Sequence, residues 1–319
     1  MPSTDDARRP LVMISAMYEN GGNTTHRYLD GHPELLVYPF ESQLGTALVC
    51  DRWSALYPVK YRWPVFRLGA SLATQFDSII DEECRVRART PFVSKFREHP
   101  FSLDDGDRER RFIAMLDGTQ PSPGDLVAAF FAATFEAWSD LRRSGRERLM
   151  VGYSPIFGVD GERFLEEMAD GHVLHVVRNP WSAYAETKRR PAPLSLAHYI
   201  EGWVVVQMLV LSARERFPDR ITILRFEDLC ADPAAALHPL CERIGIDAGE
   251  LVLTPTWNGT PLTEVYPWGT IRRPTTEENE RTAAELTRDE AAEIARRAGT
   301  LLDAFAYSDG GATLRAAAG

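Results

Sequence analysis

The sequence has little cysteine, no excess of positive charge and no long apolar stretch, and each shortage removes a class of function. Its four cysteines, Cys50, Cys84, Cys230 and Cys241, include no CxxC pair and no metal-ligand spacing. Cys230 and Cys241 fall in a stretch that reads as helical, so reduced, structural thiols in a reducing compartment are expected. Acidic residues outnumber basic ones 46 to 36, for a net charge of −10. That balance argues against nucleic acid or an anionic membrane as the main partner, since both need a basic surface. The polar segment Met1 to Pro10 has no apolar targeting core, and no window reaches the roughly 18 apolar residues of a membrane span. Together these shortages predict a cytoplasmic protein with no membrane or nucleic-acid partner, and leave room for a small ligand in a locally basic cleft.

What is present suits one large α/β domain: 319 residues, 44% of them hydrophobic. The expected organisation is a disordered start at 1–9, one domain over 10–307 and a flexible tail at 308–319. Leu11 to Met17 is a short apolar run that reads as a buried parallel strand, broken by the glycines of Tyr18 to Asn23. Thr24 to Leu29 reads as a helix and Leu35 to Phe40 as a second strand. The aromatic-rich stretch from Glu41 to Gly118 reads as helices and loops in no clear order. Asp125 to Arg143 reads as a helix after a Pro-Ser-Pro-Gly turn. Strands are then expected at Leu149 to Tyr153, His172 to Val177 and Ile221 to Phe226. They alternate with helices at Gly161 to Met168, Trp181 to Lys188, Leu194 to Phe217 and Pro233 to Ile244, and a last helix covers Arg288 to Phe305. Such alternation implies βαβ units: a three-layer, P-loop-like parallel sheet flanked by helices, with helical insertions.

In a parallel sheet the first strand-to-helix turn is the usual phosphate cradle. Here it reads Tyr18-Glu19-Asn20-Gly21-Gly22-Asn23-Thr24-Thr25. Glycines let a ligand approach the backbone, and the free amides of a helix start suit an anion. The turn lacks the Lys of a GxxxxGK[ST] loop, and no DxxG-like Mg²⁺ partner follows, which counts against a P-loop kinase.

Ile14 to Leu35, ISAMYENGGNTTHRYLDGHPEL, resembles the opening of sulfotransferases, typically ISGMPRSGTTLLHRLLDGHPEL. His172 to Pro180 (HVLHVVRNP) is similar to that family's strand and RNP or RDP turn, which contacts the nucleotide's 3′-phosphate. Arg225 to Leu229 (RFEDL), with Ala231-Asp232-Pro233, resembles its RYEDL…ADP segment. The resemblance implies a bacterial-type, nucleotide-binding transferase whose donor is 3′-phosphoadenosine 5′-phosphosulfate (PAPS). It would pass a sulfuryl group to a hydroxyl or amine of a small-molecule acceptor, with no metal. The donor contacts it implies are Asn20, Gly21, Gly22, Asn23, Thr24, Thr25 and Arg178. Arg272 comes from Tyr266 to Arg273, where the family places a late basic loop.

The chain departs from the pattern where charge matters. The family's basic loop residue falls on Glu19, the Ser after it on Asn20, and its two threonines on Gly22 and Asn23. If Thr24 and Thr25 serve instead, Gly21 takes the basic position. The Ser eight residues beyond Arg178 falls on Glu186. A carboxylate about 4 Å from a phosphate oxygen costs about 1–4 kcal/mol. Two readings follow. In one, Glu19 and Glu186 point to solvent while Arg27, Arg272 and Arg273 take over. In the other they face the ligand, and the site serves an altered donor, a cationic group, a metal-bound nucleotide, a non-sulfuryl transfer, or binding without catalysis. For the base, Glu41 stands near where some sulfotransferases carry an acidic residue, and could instead cap a following helix. His26, in the first turn after the loop, titrates in the useful range. Trp53, Tyr57, Tyr61, Trp63 and Phe66 could line an acceptor pocket or belong to the core.

Overall fold

The computed structural model describes residues 9–307 apart from 68, 91, 93–95, 263–264, 267–268 and 271–273. The expected tail at 308–319 and nearly all of the expected disordered start therefore lie outside the described residues. The chain opens with β1 (Leu11–Ala16), α1 (Gly22–Leu29) and β2 (Leu35–Val37). Four helices follow: α2 (Leu72–Ser78), α3 (Glu82–Arg89), α4 (Asp105–Leu116) and α5 (Pro123–Ala137). Next come β3 (Leu149–Pro155), α6 (Gly161–Glu167), β4 (His172–Val177), α7 (Pro180–Thr187), α8 (Leu196–Arg216) and β5 (Ile221–Arg225). The chain closes with α9 (Phe226–Ala231), α10 (Pro233–Ile244), α11 (Thr276–Ala283), α12 (Arg288–Ala298) and α13 (Thr300–Ala304).

β1 to β5 form one sheet in the order β2-β3-β1-β4-β5, every pairing parallel, and two antiparallel pairs of two-residue strands lie outside it. β1 lies at its centre and is buried on both faces, as a sheet covered on both sides requires. Its alternation divides the core. Leu11 and Met13 pack with Phe130 and Phe131 of α5 and Trp203 and Val206 of α8. Val12, Ile14 and Ala16 face Tyr28 and Leu29 of α1 and Leu237 and Leu240 of α10. This is the expected α/β sandwich of helix, sheet and helix.

Two expected helices end early. α5 stops at Ala137, because Trp138 turns to an extended conformation and bridges Leu103. The last helix breaks at Gly299, whose φ of 48° places it among left-handed conformations. α8 is long and apolar enough to cross a membrane by length and composition, contrary to the expectation from apolar runs. Its buried residues Tyr199, Ile200, Trp203, Val206, Gln207 and Val210 are nonetheless built into the core of the fold.

A buried polar relay ties α8 to the sheet. His175 Nε2 lies 2.8 Å from Gln207 Oε1 and its Nδ1 3.2 Å from Ser15 Oγ, which accepts from Gly158 N at 2.6 Å. Burial lowers the His175 pKa to about 4. An unfolded chain takes up that proton near pH 6.5, so stability is full above that value and falls as pH drops towards 4. Between pH 7 and 5 the ring should cost roughly 2 kcal/mol. Urea unfolding at the two pH values should show that loss in the wild type and a smaller one in His175→Gln. Equal losses would contradict it.

The long segment after β2 is anchored rather than loose. Tyr38 N–H donates to Val151 O at 2.8 Å and Ser42 N–H to Tyr153 O, so the chain continues beside β3 beyond the end of β2. Further on, Arg62 is buried and forks onto Asp160, with Nε–Oδ2 2.6 Å and Nη2–Oδ1 2.9 Å, and also reaches Asp51. Glu41 and Tyr61 sit between these anchors.

Candidate active site

The loop after β1 is shaped by two positive φ angles, 58° at Glu19 and 85° at Gly21. Gly21 has no alternative: a Cβ there would lie 2.1 Å from the Phe226 ring, in a backbone conformation that L side chains resist. α1 then starts at Gly22, two residues before the expected Thr24, and Thr25 N donates to Gly21 O at 2.9 Å. The amides of Gly22, Asn23 and Thr24 precede that first helical bond, the position at which helix amides suit an anion.

The other expected loop residues divide by role. Asn23 and Thr24 are half-buried. Thr25 is buried, its hydroxyl donating to Gly21 O at 3.0 Å. Asn20 is fully buried and its side chain is a brace: Nδ2 donates to Tyr18 O and to the Tyr199 hydroxyl, while Oδ1 accepts the Arg178 amide at 2.9 Å. The loop after β1 and the turn after β4 are thus one unit. Asn179 continues it, its N and Nδ2 donating to Glu227 Oε1 at 3.0 and 2.8 Å. The Tyr307 hydroxyl holds the other oxygen of Glu227 at 2.7 Å.

The two carboxylates that break the sequence pattern both meet cations. Arg178 is 3% exposed. Its Nη1 reaches Glu186 Oε2 at 2.7 Å and Glu19 O at 2.8 Å, and its Nη2 reaches Glu186 Oε1 at 3.2 Å. Nε donates to Asn279 Oδ1 at 2.6 Å, and the guanidinium stands 4.9 Å from the centre of the Phe226 ring. Burial works against its charge, yet the adjacent Glu186 carboxylate raises its pKa overall. Glu186 therefore does not simply point to solvent. Glu19 is half-buried with Arg190 Nε 3.6 Å from its Oε1. Burial pushes the Glu19 carboxyl up against the pull of Arg190, which also lies over the Tyr18 ring.

The takeover by Arg27 is overturned. Arg27 is 1% exposed, donates to Tyr38 O at 2.9 Å and lies 5.7 and 5.5 Å from the Phe96 and Trp257 ring centres. Its guanidinium is thus engaged inside the fold. Arg272 and Arg273 lie outside the described residues.

Glu41 precedes irregular chain and caps no helix. It is half-buried, its amide donates to Glu83 Oε2 at 3.2 Å, and its carboxylate takes a hydrogen bond from Tyr61. It stands close enough to Tyr18, Glu19 and Tyr153 to act on their charges. Burial, then Glu41, pushes the Tyr61 hydroxyl far up, so Tyr61 stays a proton donor to that carboxylate. His26 lies beneath the loop, 1% exposed, with Arg27 Nη2 2.7 Å from its Nδ1. The aromatic cluster divides as well: Tyr57 and Trp63 are core, while Tyr61 packs edge-on to Tyr18, ring centres 6.3 Å apart. Among the described residues no group of three or more His, Cys, Asp or Glu could hold a metal ion. Sequence reasoning missed Arg190, Tyr199 and Asn279, whose links to the loops join elements far apart in the chain.

The parallel sheet thus carries the glycine loop at its central strand and the Arg178 turn at the strand beside it. The sulfotransferase family model matches residues 71–250, more than half of the chain, and the chain belongs to that family. The match includes the Arg178 turn and the Arg225 to Asp232 segment and begins downstream of the divergent loop. Among solved structures, the chain is similar to the sulfotransferase domain from the curacin biosynthetic pathway. That domain is 16% identical, the alignment covers 92% of this chain and 98% of the other, and the TM-score is 0.55. The sulfotransferase domain of the Synechococcus PCC 7002 olefin synthase is 17% identical over 90% and 93% of the two chains, with a TM-score of 0.44. The first likeness supports the fold. No curated protein sequence matches.

Proposed function

We propose that this chain passes a sulfuryl group from a nucleotide-linked sulfate to a hydroxyl or amine of a small-molecule acceptor. The observation that carries the reading is the juxtaposition of the Gly21–Thr25 cradle with Glu41 at the carboxyl edge of the sheet: Ser42, next to Glu41, is bonded to Tyr153 O, and the Tyr153 ring packs against Gly22. In this reading the amides of Gly22, Asn23 and Thr24 hold the phosphate whose charge grows as its bond to sulfur breaks. Glu41 accepts the acceptor's proton as the new oxygen–sulfur or nitrogen–sulfur bond forms. His26 is the weaker base candidate, being buried against Arg27.

The donor implied by the family is PAPS. The cradle fits its 5′-phosphosulfate end. Its 3′-phosphate fits poorly, because Arg178 is already bonded to Glu186. The test supplies ³⁵S-labelled PAPS and, separately, labelled adenosine 5′-phosphosulfate, with small phenols, alcohols and amines. Label should move to an acceptor in the wild type and far more slowly in Glu41→Gln. Label released only to water, at one rate in both proteins, would overturn the reading.

A further inference from the structure

We propose that Glu186 makes the nucleotide site select a ribose whose 3′-hydroxyl is free, in place of one carrying a phosphate there. The proposal rests on the reading of the β1–α1 loop as a phosphate seat. β4 neighbours β1 in the sheet, and the backbone of its turn is bonded to the loop through Asn20. A nucleotide seated on the loop and running along the carboxyl edge towards β4 therefore meets Arg178 and Glu186 first.

Arg178 has little left to offer an anion. Its Nε is spent on Asn279, Nη1 on both Glu19 O and Glu186, and Nη2 on the second oxygen of Glu186. This is the two-pronged fork by which arginine takes a phosphate, filled here by a carboxylate of the chain itself. An arriving phosphate has to displace Glu186 and then lie against the carboxylate it displaced. Glu19, paired with Arg190, places a second carboxyl group near Glu186.

The same geometry welcomes a hydroxyl. The Glu186 side chain is 32% exposed, so its oxygens stay reachable while Arg178 fixes the carboxylate plane. A fixed carboxylate accepts a hydrogen bond from a ribose hydroxyl, whereas an open arginine accommodates a ribose phosphate; dinucleotide-binding folds separate their two cofactors by that exchange. The ligand class is thus a nucleoside 5′-phosphosulfate with unsubstituted ribose hydroxyls.

Calorimetric titration with adenosine 5′-monophosphate and with adenosine 3′,5′-bisphosphate tests this. The wild type should bind the monophosphate at least about tenfold more tightly, and Glu186→Ser should reverse the order. Glu186→Gln keeps the shape, loses the charge and should fall between; it and the wild-type ratio decide the matter should the serine variant fail to fold. Tighter binding of the bisphosphate by the wild type overturns the selectivity and leaves the loop as a phosphate seat intact. Binding of neither nucleotide at about a millimolar overturns the seat, and the selectivity with it.

Discussion

Glu41→Gln is expected to fold as the wild type does and to transfer sulfuryl groups about 10² to 10⁴ times more slowly. Glutamine keeps the shape of the side chain and can still accept from Tyr61, but it takes no proton from an acceptor. Its amide also removes one negative charge from a neighbourhood that already holds Glu19 and Glu83, so stability should not fall by more than a few tenths of a kcal/mol. The discriminating pattern is a fall in kcat with KM for the donor and the unfolding midpoint unchanged. An unchanged kcat would remove Glu41 from the chemistry, and His26→Gln would then become the informative variant.

Arg178→Ala should have the largest effect on stability, a loss of about 2–4 kcal/mol. The buried guanidinium holds Glu186, Glu19 O and Asn279 together and packs against Phe226. Its removal leaves the carboxylate without its fork and unties the strained backbone at Glu19 from the β4 turn. Partial exposure of Glu186 keeps the cost below that of a fully buried pair. The double variant Arg178→Ala/Glu186→Ala should regain part of the loss, because no orphaned charge remains. Urea unfolding of the two single variants and the double variant measures this coupling. Additive losses would mean that Arg178 acts through packing on Phe226 and not through Glu186.

Much of the scaffold could be read from the chain because its elements carry their own signals. The buried strands are short apolar runs bounded by turn residues. β4 spans His172 to Val177 as expected, and α10 begins after the cap Asp232 and stops at left-handed Gly245. The stretch from Glu41 to Gly118 resisted ordering because ion pairs hold it as much as apolar periodicity does. Arg62 grips Asp160 from 98 residues away, and Arg108 binds Asp81 at 2.7 Å deep in the interior. Such pairs leave no trace in local spacing.

At the site, the sequence displayed the two misplaced carboxylates but not what they touch. Arg178 and Glu186 stand eight residues apart, one before α7 and one in its last turn, and they meet only because the side chain of Arg178 turns towards α7. Glu19 and Arg190 come together because the segment after α7 passes over the loop. The resemblance to sulfotransferases located the loop and the turn. The charge exchange between them belongs to three-dimensional contact alone.

The central claim is that the β1–α1 loop seats a nucleotide phosphate through its own amides. Its most direct test is ¹⁵N amide shift mapping of the deuterated wild-type chain during titration with adenosine 5′-monophosphate. The account predicts saturable shifts centred on Gly22, Asn23 and Thr24, with smaller ones at Glu19 and Arg178. Shifts that leave the loop untouched and gather instead along the surface groove lined by His238, Glu242 and Asp247 would contradict it.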